Sequence, residues 1–156
     1  MTDMYLSVSL EAKHDFDTGA VTRRLGVEPT QIRKLGTPMR PGHDALYKYS
    51  SWEWDTAHIS ADDSGSLIAQ AAAMFQSRAT VMRELAAGCG GKWAIVLDGY
   101  VHSGDAPTVL LPPDFVEFCA AIGAIFQYVI DISYDYTSKG GADRGTAEDR
   151  PDTHRG

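Results

Sequence analysis

The sequence predicts an α+β domain, a two-layer sandwich with three helices packed on a mainly antiparallel sheet of about five strands. Three observations predict it. Several segments alternate apolar and polar residues, the period of a half-buried strand. Three others repeat apolar residues at helical spacing. The elements follow the order β-α-β-α-β-β-α-β, with no sequence repeat. The chain has 156 residues, 44% hydrophobic and 22% charged, enough for one core and unlike a collagenous, disulfide-stapled or wholly disordered protein.

Residues 5–11 alternate, with Leu6, Val8 and Leu10 on one side and Ser7 and Ser9 on the other. Asp17 is a good N-cap for a helix running to Leu25, Phe16 and Val21 stand at staple spacing, and Gly26 suits a left-handed end. Thr30 can cap a short helical turn closed by Gly36, and 37–44 is a Pro/Gly loop. Residues 45–59 read as a strand. Tyr47 and Tyr49 share one parity and Trp52 and Trp54 the other, which implies a bulge near Ser50 and Ser51 or aromatics on both faces.

Residues 67–87 form the longest helical pattern, with Ile68, Ala71, Phe75, Ala79 and Met82 on one stripe, stopped by Gly88, Gly90 and Gly91. A strand at 92–100 places Trp93, Ile95 and Leu97 together. A turn at 102–107 joins it to a short strand at 108–111, a predicted hairpin. Pro113 suits a first helical turn, and Phe115, Phe118, Ile122 and Ile125 or Phe126 continue that helix. Residues 127–136 alternate as a last strand. From 137 onward no large apolar residue occurs and the charges cancel, so 1–136 is a single domain and 137–156 a disordered polar tail.

The net charge of −7 argues against nucleic-acid binding, since phosphate contacts need a basic surface. It is unevenly spread. Residues 21–50 hold six basic residues against two acidic, a local +4 that leaves −11 for the rest. Cys89 and Cys119 are too few for a disulfide framework and read as reduced, mostly buried thiols. No secretory leader and no membrane span are visible, so a soluble cytoplasmic protein is expected.

The run LGVEPTQIRKLG, from Leu25 to Gly36, resembles the bacterial domain-of-unknown-function 4279 family. That family shows a helix ending in Leu-Gly, a following Pro-Thr or Pro-Ser, a Gly step, a Trp-bearing strand and a late helix-strand unit. Here Leu25-Gly26, Pro29-Thr30, Gly36, Trp52-Glu53-Trp54 and the stretch 115–136 correspond. The resemblance spans about 5–136. It implies no transferable activity; some members look like immunity or other partner-binding proteins.

Arg23, Arg24, Arg33, Lys34 and Arg40, with His43, are the first candidate site. Cations near helix ends favour the macrodipole and stay solvated, whereas Arg forks that converge bind carboxylate or phosphate. Trp52 and Trp54 are the second. They are core residues, or, if exposed beside the Arg-rich loop, binding hot spots. His102 and Asp105 with Asp98 offer a weak metal set, and ordinary turn polarity explains them as well. Asp131, Ser133 and Asp135 share a strand face that is an acid/base pair or a solvated surface. No phosphate loop and no nucleophilic triad occurs, and no cofactor or metal is expected.

These readings predict a non-enzymatic binding module whose docking zone runs from Arg23 to His43 and onto the Trp strand. Its partner is a protein, as for an immunity-like or accessory protein; nothing in the sequence fixes an oligomeric state. The acidic remainder could instead face a basic partner such as a nuclease. Arg33→Glu abolishes binding in the first case, and reversal of Asp131 and Asp135 in the second. The alternative is a protein that binds a small anionic ligand, or a hydrolytic enzyme, with a pocket between the basic loop and the sheet. That pocket requires Arg23, Arg33 and His43 to converge beside a buried acid.

Overall fold

A computed structural model describes residues 2–102 and 104–132. The expected tail at 137–156 and the end of the last predicted strand, at 133–136, lie outside the described residues.

Strand β1 (Thr2–Ala12) is the spine of the sheet. The strand order is β2 (Gln31–Arg33), β3 (Ser50–Asp55), β1, β5 (Lys92–Val101), β6 (Ile125–Ile132), and β4 (Ile59–Ala61) pairs with the start of β1. Every pairing is antiparallel except β5 with β6. That parallel pair needs a crossover, which helix α4 (Pro113–Ala121) supplies. The result is an α+β fold with an open, mixed sheet of six strands.

The alternation in β1 does what its pattern dictates. Met4, Leu6, Val8 and Leu10 are each no more than 1% exposed and form the floor of the core. Trp52 pairs with Leu10 from β3, and Trp93 pairs with Leu10 from β5, so both indoles lie on that floor. They meet edge to face with centroids 6.2 Å apart. Each buried indole N–H is satisfied: Trp52 donates to Thr22 Oγ1 at 3.0 Å and Trp93 to the Met82 carbonyl at 2.7 Å.

Helix α1 (Thr18–Leu25) starts on the Asp17 cap, whose carboxylate accepts from the Ala20 N–H at 3.0 Å. It ends on Gly26 at φ 67°, a conformation glycine takes at little cost. Its Val21 and Leu25 face the core. The long predicted helix is two helices, α2 (Gly65–Phe75) and α3 (Ala79–Cys89), joined by a 3-10 turn at Gln76–Arg78. At this break the Arg78 guanidinium turns back to the carbonyls of Leu25, at 2.9 Å, and Met74. The apolar stripe survives the break, with Phe75 before it and Met82 after it in one core. Among the described residues no helix is long and apolar enough to cross a membrane. Cys89 and Cys119 are free thiols, both half-buried.

Local signals misread four further segments. Within the helical turn predicted at 30–36, Gln31–Arg33 form strand β2, because Ile32 finds a partner across the ladder in Trp52, and the turn follows at 35–36 with Gly36 at φ 79°. Thr30 therefore clamps β3: its N–H donates to Glu53 O at 2.8 Å and its Oγ1 accepts from Asp55 N–H at 2.9 Å. The strand predicted at 45–59 splits into β3 and β4. Its ladder with β1 runs unbroken from Ser50 to Asp55, so no bulge falls at Ser50 and Ser51; Trp52 and Trp54 share one face, and Tyr47 and Tyr49 precede the strand. Residues 108–111 do not pair with β5. Thr108 bridges Asp63 instead, and Leu110 N–H donates to buried Ser64 Oγ at 2.9 Å. The helix predicted to reach Ile125 or Phe126 stops earlier, with Gly123 at φ 65°, and both residues enter β6.

Candidate functional site

The odd positions of β1, namely Asp3, Tyr5, Ser7, Ser9 and Glu11, point away from the core. Register carries this second face across the sheet. Glu53 lies opposite Ser9 and Asp55 opposite Ser7, while Asp98 lies opposite Tyr5 and Tyr100 opposite Asp3. Asp131 follows beside Tyr100 on β6. The core that the helices build with the sheet takes none of these side chains. Among the described residues this face carries no helix, as strands with one polar face predict.

One end of the face is aromatic and acidic. Asp3, Tyr5, His58, Asp98, Tyr100 and Asp131 line a cavity of about 180 Å³. Tyr5 stacks on His58 with centroids 4.4 Å apart, and Tyr100 meets His102 edge-on at 4.6 Å. His102 Nε2 lies 2.8 Å from Asp3 Oδ2, and this hydrogen bond holds the Asp3 carboxyl below its ordinary range. Burial, with the neighbouring Asp98 charge, pushes the Tyr5 hydroxyl up to about 12. Burial also raises Asp98, against a hydrogen bond from Tyr5. Asp55 is pushed up to about 6, first by burial and then by Glu53 beside it. Its Oδ1 is buried with no hydrogen-bond partner among the described residues.

The sequence-predicted basic residues do not gather. Arg23 pairs with Asp17 at 3.2 Å, and Arg24 pairs with Glu84, both on the helical layer. Arg33 reaches Glu53 at 2.8 Å and Gln31 at 2.7 Å on the opposite sheet face. Burial works against the Arg33 charge, but the hydrogen bond to Glu53 and its charge prevail and raise the pKa. Lys34 lies 3.9 Å from Asp15. Arg40 and His43 are exposed in the loop between β2 and β3.

Arg33 and Lys34 line one cavity of about 480 Å³, whose wall also holds Asp15 and Asp17. Arg23, Arg33 and His43 do not converge on one pocket, so the pocket condition for the enzyme reading is unmet. Trp52 is 0% exposed and belongs to the core, because its register opposite Leu10 turns it inward. Trp54 is half-buried and packs edge-on against Phe75 at 5.1 Å. Among the described residues no three His, Cys, Asp or Glu side chains group as metal ligands, so His102, Asp98 and Asp105 form no such set.

Sequence reasoning singled out Asp131 but missed Tyr5 and His58, which line the same cavity. The alternation of β1 and β5 marks which of their residues share a face. Which residues become neighbours depends on strand order and register, and no local pattern encodes that.

No match was found among curated proteins or among solved structures. The model of a domain of unknown function, DUF4279, matches residues 2–133, which takes in all six strands and every helix described above. The match covers most of the chain, and the chain belongs to the DUF4279 family.

Proposed function

We propose that this protein is a non-catalytic module that binds a basic partner protein on the acidic end of the sheet face opposite its helices, in the manner of an immunity-like or accessory protein. One observation carries the reading. Tyr5 and Tyr100 stand among Asp3, Asp98 and Asp131 on a face that carries no helix among the described residues. Tyrosine supplies large contact area at low entropy cost, and a ring of acids steers a cationic surface toward it. The net charge of −7 adds long-range attraction. The free thiols Cys89 and Cys119 suit a reducing compartment, and we place the protein in the cytoplasm.

The test is affinity capture from the organism that encodes the chain, followed by calorimetry with the captured protein purified. Wild type is compared with Asp98→Lys/Asp131→Lys and with Arg23→Glu/Arg33→Glu. A basic partner lost in the first variant and kept in the second supports the reading. An acidic partner with the opposite pattern restores the Arg-rich zone and overturns it. Removing a hot-spot charge pair costs about 2–5 kcal/mol, so the expected loss is at least roughly thirtyfold.

A further inference from the structure

We propose that the other end of the same sheet face is a binding site for a small organic anion, an apolar body carrying a carboxylate or phosphate head. This site is separate from the protein-docking end and does not depend on it. A cavity of about 730 Å³ opens where β1 ends and where β5 and β6 begin. Its volume falls in the range of small-ligand sites, roughly 300–1,000 Å³.

Its wall brings together three lysines distant in sequence. Lys13 follows β1, Lys48 precedes β3, and Lys92 opens β5. Among the described residues none of the three makes an ion pair. Arg23, Arg24, Arg33 and Lys34 all do. Glu11 is the one carboxylate among the lining residues, so the lining carries a net positive charge. It faces Lys92 across the ladder without closing a salt bridge.

Helix α3 ends at this cavity, and its carbonyls do not occupy the lysines. Gly90 N–H donates to Ala87 O at 3.4 Å and Gly91 N–H to Ala86 O at 3.0 Å. The Ala86 and Ala87 carbonyls are thus taken by the helix's own backbone rather than by a lysine.

The cavity also has an apolar side. Ile125 is 57% exposed, and Ala94 lies opposite it in register. The half-buried Tyr49 ring adds a flat wall. An apolar surface beside unpaired cations recognises a molecule with both characters. Lysine offers a point charge rather than a planar fork, so it accepts a carboxylate or a phosphate equally. The site is built by close approach: a Cβ on Gly91 would come within 2.7 Å of the Glu11 carbonyl. That contact sets the end of α3 against β1.

The experiment titrates the full chain with four probes, 2-naphthoate, 2-naphthyl phosphate, the neutral 2-naphthamide and inorganic phosphate, following backbone amide shifts by NMR. Saturable shifts centred on Lys13, Lys48, Lys92 and Ile125 are expected for the naphthoate, the naphthyl phosphate or both. The stronger of the two identifies the head group. The amide and inorganic phosphate should each bind at least about tenfold more weakly, since each lacks one half of the recognition.

Lys48→Gln/Lys92→Gln should weaken the organic anion about tenfold or more. Both lysines are exposed, so this variant keeps the fold. Asp98→Lys/Asp131→Lys should leave anion binding unchanged, which separates this site from the protein-docking end. Equal binding of the naphthamide, shifts centred elsewhere, no saturable shift with either anion, or unchanged binding in the lysine variant would overturn the proposal.

Discussion

The two ends of the sheet face opposite the helices are built from the same strands and behave as chemical opposites. At one end, acids and aromatic rings contact one another: Tyr5 stacks on His58, Asp3 meets His102, and Asp98 and Asp55 are raised above their ordinary range. At the other, Lys13, Lys48 and Lys92 surround a larger, partly apolar cavity without touching a carboxylate among the described residues. Strand alternation chooses which face is polar. Loops and strand ends choose the sign at each end. Charge that is already paired is structural, and charge left unpaired beside an exposed apolar surface is available to a ligand.

The largest expected effect comes from the pair that stands beside neither cavity's centre. Arg33 and Glu53 have side chains only 20% and 14% exposed. Arg33→Gln leaves Glu53 without its cation and next to Asp55, whose charge it already disfavours. Breaking a largely buried pair strands the remaining charge, so a loss of about 2–3 kcal/mol is expected in urea unfolding. A loss below about 0.5 kcal/mol would mean that Arg33 is spare cation after all. It would then join the lysines as a ligand group.

How much of this was legible follows from what kind of information each feature needs. The Asp17 and Gly26 caps of α1 are local, as is the alternation of β1, and sequence order alone contains them. Strand β2 is different. Thr30, Gln31 and Gly36 are compatible with a capped turn, and only the arrival of β3, with Trp52 opposite Ile32, makes a strand the better solution. The dispersal of Arg23, Arg24 and Arg33 has the same origin. They are close in sequence, but α1 packs on the core side while Arg33 emerges on the other. Sequence proximity predicted a patch, and the sheet divided it. Lys13, Lys48 and Lys92 are the converse case, far apart in sequence and joined by the fold.

Asp55 sharpens the comparison through pH. Its carboxyl titrates near 6 in the folded protein against an ordinary 3.8. The folded state therefore holds this proton more tightly than the unfolded one. Stability from this group is fully present below pH 3.8 and is lost as pH rises through about 6. Asp98 acts in the same direction. Asp55→Asn removes the charge penalty, so it should raise stability at pH 7 and flatten the decline across that window. The side chain is only partly buried, and solvent screening reduces the gain to about 1–2 kcal/mol. Urea midpoints at several pH values for both proteins measure it. A variant less stable at pH 7 would show that the ionised carboxylate is a structural acceptor.

The smallest effect is expected at Arg23, and its smallness is informative. Its partner Asp17 also caps α1, and the two side chains are 71% and 68% exposed. An exposed pair of this kind contributes little, because water screens both charges and ordering two mobile side chains costs entropy. Arg23→Gln should therefore change stability by less than about 0.5 kcal/mol, and Asp17 should keep its cap to the Ala20 N–H. The same substitution should leave both organic-anion binding and partner capture unchanged. If instead Arg23→Gln weakens partner capture with the fold intact, its pairing with Asp17 gives way to a partner's carboxylate on binding. The helical layer would then contribute to docking along with the open sheet.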